Sequence, residues 1–165
     1  MLKKSIFILL ALTLSLSPLQ ASGLPKASMQ AIIKALQDTN VDVRTAAADA
    51  LTQVAGDAED ATKPLESVLI ASADPKEQDA CVKALVAIKD KDSAKRLSEA
   101  LANPQFTWGT GAKARAVEVV GKVGEKKMIK WLTGLVASEQ EPAVTAAALR
   151  ALGDIGAPPK KEEKK

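Results

Sequence analysis

Val43 to Gly56 reads VRTAAADALTQVAG, and its pattern returns three times along the chain. The later copies are EQDACVKALVAIKD from Glu77 to Asp90, AKARAVEVVGKVGE from Ala112 to Glu125, and VTAAALRALGDIGA from Val144 to Ala157. Leu51, Leu85, Val120 and Leu152 fall in register, with spacings of 34, 35 and 32 residues. Val54, Ile88, Val123 and Ile155 follow three residues later, and Ala47, Cys81, Ala116 and Ala148 precede by four. Positions at i−4, i and i+3 share one face of a helix, so each copy predicts an amphipathic helix.

Each of these helices has an upstream partner. Met29, Ile32, Ile33 and Leu36 form one helical stripe. Leu65, Val68 and Leu69 form the second, Leu97, Ala100 and Leu101 the third, and Met128, Ile129, Leu132, Leu135 and Val136 the fourth. Turn signals separate partner from repeat: Asp38-Thr39-Asn40, Asp74-Pro75, Asn103-Pro104 and Glu141-Pro142. Proline suits a first helical position and pushes the residue before it out of the helical region. Gly56, Lys89 to Asp92, Gly124 and Gly156 then punctuate the joins between units. The expectation is an all-α chain of four helical hairpins, with approximate units 24–58, 59–91, 92–125 and 126–157.

A period of 32 to 35 residues with alanine-rich second helices and a VRxxAAxALxxxG pattern resembles the HEAT repeat family. The short units are similar to the HEAT-like subgroup named after phycobilisome lyases. The resemblance covers roughly Leu24 to Pro158 and is clearest at Val43 to Gly56 and Ala143 to Gly156. It implies a right-handed α-solenoid and a binding surface without chemistry of its own. The family's second-helix arginine is matched only by Arg44. Gln78, Lys113 and Thr145 stand at the equivalent places, so an incomplete polar ladder is expected along the stack. Tetratricopeptide repeats have a similar period, but their Trp and Tyr positions are absent. Small residues on the second helices let neighbouring units approach closely, and Gly121 and Gly153, which occupy one common register position after Val120 and Leu152, are expected to mark the closest contacts. A single hairpin cannot bury both apolar faces, so the units must stack on one another.

The ends read differently. Lys3 and Lys4 precede an apolar run from Ile6 to Leu16, and Ser17 to Ala21 ends in small residues. This is the layout of a secretory signal peptide, 1–21, with cleavage after Ala21 or Gly23. The run is short for a membrane anchor, which needs about 20 apolar residues, so no stable anchor is expected after cleavage. The expected location is the bacterial periplasm or the extracellular space. The segment 159–165, with four lysines and two glutamates from Lys160 onward, predicts a disordered charged tail. Between them, Ser22 to Pro159 carries a net charge of −1. A nearly neutral body lacks the field that phosphate backbones require, so no nucleic acid partner is expected.

The chain of 165 residues contains no histidine and one cysteine. That removes Ser-His-Asp and Cys-His catalysis, histidine-ligated zinc, and disulfides within the chain. Cys81 aligns with three alanines, which favours a buried, inert residue over a reactive thiol. Asp57, Glu59 and Asp60 cluster after Gly56. Their spacing does not match a calcium loop, and a solvated connector is expected. No cofactor and no metal are implied.

One stretch departs from the repeat. Measured back from Val120, the third turn belongs near Thr110, yet Asn103-Pro104 comes earlier and leaves about six residues, Gln105 to Thr110, beyond the pattern. Phe106 and Trp108 concentrate rare aromatics there. On one reading Gln105, Phe106, Thr107 and Trp108 form an exposed loop, freed by Gly109 and Gly111, that binds a protein partner. On the other, both aromatics fold back over a gap between units three and four, beside Trp131. The expected function is that of an exported, non-catalytic scaffold or adaptor for protein–protein interaction. The alternative is a subunit of a lyase-like or other enzyme complex in which the repeat is the binding component.

Overall fold

Local chemistry starts four of the eight helices among the described residues. Asn40 accepts a hydrogen bond from the backbone N–H of Asp42 at 2.8 Å and so caps α2 (Val41–Gln53). Asp74 caps α4 (Pro75–Ile88) by accepting from Lys76 and Glu77, both at 2.9 Å. Asp90 caps α5 (Lys91–Ala102) through the N–H of Asp92 at 2.9 Å. Such side chains satisfy backbone donors that the first turn leaves without partners. Pro75 and Pro142 each occupy a first helical position, where no backbone donor is lost. The remaining helices are α1 (Lys26–Ala35), α3 (Thr62–Ala71), α6 (Ala112–Val123), α7 (Ile129–Ser138) and α8 (Pro142–Gly156).

The computed structural model describes residues 23–139 and 141–156. The expected signal peptide and the charged tail lie outside these residues. Among the described residues there are eight α-helices, short 3-10 turns and no strand, and the chain is an all-α solenoid. No helix among them is long and apolar enough to cross a membrane.

The second helices form the inner stack: α2 packs on α4, α4 on α6, and α6 on α8. Each also packs on its own first helix, which gives two layers around one core. Leu51, Leu85 and Val120 are fully buried, as are Cys81, Ala116 and Ala148. Leu152, in the last described unit, is only half-buried. α6 and α8 approach closely, since a Cβ at Gly121 would stand 2.3 Å from the Cβ of Ala151. Gly153 does not share this role. A Cβ there would meet nothing within 4 Å, since no described unit follows.

The outer layer is less continuous. α3 packs on α5, and Arg96 joins them. Its guanidinium donates to Glu66 at 2.6 and 2.9 Å and to Asp90 at 2.7 Å. The hydrogen bond to Glu66 holds Arg96 well above its ordinary range, against the opposite pull of burial. Burial alone would raise the Asp90 carboxyl, but the hydrogen bonds from Arg96 and the Asp92 backbone outweigh it and hold it low. Between α1 and α3, and again between α5 and α7, the layer opens into grooves.

Candidate functional site

The stretch between α5 and α6 is built from two opposite ends. At its start, the Asn103 side chain accepts from the N–H of Gln105 at 2.9 Å, and the Phe106 N–H donates to the Asn103 carbonyl at 3.2 Å. Pro104 therefore sits in a tight turn and does not open a helix as Pro75 does. At its end, Gly111 adopts φ +81° and leads into α6.

Between these points the chain is tied to the neighbouring unit. The Gly109 N–H donates to the carbonyl of Ile70 at 2.8 Å. A Cβ on Gly109 would fall 1.8 Å from the Ser72 carbonyl oxygen, so only glycine allows this approach. Gln78 completes the clasp: its amide donates to the Ser72 carbonyl at 2.7 Å and to the Thr110 carbonyl at 2.8 Å. The expectation that Gly109 and Gly111 free the loop is thus corrected. Gly109 pins it, and Gly111 supplies the left-handed turn that starts α6.

The two aromatics part company on this base. Trp108 is half-buried and packs against the core. Its loop crosses the end of α3, where Gly109 ties unit three to unit two. Phe106 is 46% exposed, and Gln105 and Thr107 beside it are exposed as well. The structure therefore divides the four residues into a fixed foot, Trp108, and an outward tip, Gln105 to Thr107.

The polar ladder, expected to be incomplete, runs through every joint in changed chemistry. Arg44 pairs with Glu77 of the next unit at 2.5 Å and also donates to the Asp38 carbonyl at 2.8 Å. Gln78, at the same register, reaches Thr110 of unit three. Lys113 reaches Glu141 of unit four at 3.6 Å. Thr145 donates to the Glu139 and Glu141 carbonyls at 3.4 Å. Arg44, Gln78 and Thr145 each bond the carbonyl six residues back, so one geometry is served by three side chains. The sequence does not display this ladder, because what repeats is a donor and not a residue type.

The other candidates have structural roles. Cys81 is buried, and desolvation, helped by the nearby Glu77 charge, pushes its thiol up to about 12. It is an inert core residue at neutral pH. Asp57, Glu59 and Asp60 are exposed on the short turns after α2. Among the described residues, no group of three acidic, cysteine or histidine side chains is placed to hold a metal ion.

Two grooves flank the outer layer. One, of about 510 Å³, is lined by Leu36, Arg44, Val68, Ser72 and Glu77 between units one and two. The other, of about 730 Å³, lies between α5 and α7 and is lined by Leu101, Lys127, Lys130, Trp131 and Leu135. Trp131 forms one wall of this second groove.

A family profile for HEAT repeats matches residues 29–108. The match spans the first two hairpins, α5 and the loop as far as Trp108. HEAT repeats as a class are protein-interaction scaffolds. No curated protein matches the chain.

Proposed function

We propose that this protein is an exported, non-catalytic adaptor that docks a protein partner through the tip of the unit-three loop. Phe106 is the anchor, Gln105 and Thr107 supply polar contacts at its rim, and Trp108 holds the foot. The observation that carries this reading is an exposed phenylalanine on a pinned base. A loop already fixed by Gly109 and Gln78 loses little further entropy on binding, so the apolar area of Phe106 counts nearly in full toward affinity. Exposed aromatics of this kind act as interface anchors. Export rests on the composition of Met1 to Ala21 and places the partner in the cell envelope or outside the cell.

The test uses the processed protein as bait on its own envelope fraction, followed by affinity measurements on the captured protein. Phe106→Ala should weaken binding by at least about 2 kcal/mol while leaving the melting temperature unchanged. Ile129→Ala, an exposed apolar residue on α7, serves as the control and should leave binding intact. Equal affinity for the wild type and Phe106→Ala would remove the loop tip from the interface.

A further inference from the structure

Among the described residues, the first and last units expose positions that the other units bury. Val43 is 38% exposed, while Glu77, Ala112 and Val144 at the same register are buried. Leu149 is 55% exposed, while Ala48, Val82 and Val117 at its register are buried. Val43 is uncovered only in the first unit and Leu149 only in the last. They therefore mark a backward and a forward face of the same repeating joint.

The inner joints show what fits these faces. In the joint between α6 and α8, Gly121 on the forward side receives Ala151 on the backward side. Gly153 is the register mate of Gly121, and Ala50 is the register mate of Ala151. Gly153 stands in open space, and Ala50 lines an apolar groove of about 550 Å³ with Ile32, Val43 and Ala46. Charge follows the same order. Asp49, Lys83, Glu118 and Arg150 share one register and alternate in sign along the stack. Lys83 and Glu118 line one groove between α4 and α6. The residue that would continue the alternation after Arg150 is an acid, and Asp49 of a second copy supplies it.

We propose that the forward face of one copy, at Leu149 and Gly153, stacks on the backward face of a second copy, at Val43 and Ala50, and continues the array head to tail. The occupant of each end face is another molecule of this chain, in the register already used within it. Such an interface joins two different surfaces. Unless the rotation closes a ring, it adds copies into open chains.

Sedimentation velocity of the purified protein across a concentration series tests this. The expected result is a weight-average mass that keeps rising past the dimer. A Cβ at Gly153 would meet nothing within 4 Å, so the melting temperature of Gly153→Gln should hold, yet association should weaken by about tenfold or more, about 1.4 kcal/mol. Because its backward face is intact, Gly153→Gln added to wild type should cap and shorten the chains. Leu149→Gln should weaken association in the same way. A monomer at all concentrations up to about 1 mM, the weakest affinity of interest, would overturn the proposal. So would self-association that both variants leave unchanged.

Discussion

Glu77 holds its carboxylate where the side chain is only 1% exposed, between Arg44 of the preceding unit and the hydroxyl of Ser72. A buried carboxylate is tolerated when it is paired and hydrogen-bonded, and is costly when a partner is removed. The reciprocal effect is visible on Arg44, which its hydrogen bond to Glu77 holds above its ordinary range despite partial burial. Arg44→Met keeps most of the packing stem and removes the charge. It should destabilise the protein by about 2 kcal/mol, read from urea unfolding. Cys81, one turn along the same helix, behaves oppositely, since its environment favours the neutral form. With its thiol pushed up to about 12, native protein at pH 8 should resist a thiol reagent that labels it promptly in denaturant. Prompt labelling of the native protein would place Cys81 outside the core.

At the scale of elements, the decisive contact is the clasp between the loop after α5 and the end of α3. Gly109→Ala would drive a methyl into the Ser72 carbonyl, and should cost about 1–3 kcal/mol with loss of the loop's fixed position. A thermal melt matching wild type would show that the loop stands clear of α3. The helices that carry the clasp were legible in the sequence, because Leu51, Leu85 and Val120 repeat with a helical face and are buried as that pattern requires. The insertion was legible as an interruption of the same period. Its docking was not, because it depends on two backbones meeting at Gly109 and Ser72, and a glycine reads equally as a hinge or as a close approach. The ladder was hidden for a related reason: Arg44, Gln78, Lys113 and Thr145 share a register and a donor role but no residue type.

At the scale of the whole molecule, the loop is part of the stack rather than an appendage. Arg44, Gln78 and Lys113 each cross one unit boundary, Arg96 crosses between α3 and α5, and the Gly109 N–H crosses from unit three to unit two. In a repeat array each unit is stabilised mainly by its neighbours, so these crossings couple the opening of the loop to the opening of the units beneath it. The proposed adaptor depends on that coupling, since Phe106 is a prepared anchor only while Gly109 holds the loop down. The most direct measurement is amide hydrogen exchange at Gly109 in the native protein. The account predicts exchange slowed by about two orders of magnitude or more relative to an unstructured amide, and a further change in step with the amides of α3 when Arg44→Met loosens the joint. Exchange of the Gly109 amide at the unstructured rate, with α3 still protected, would contradict it.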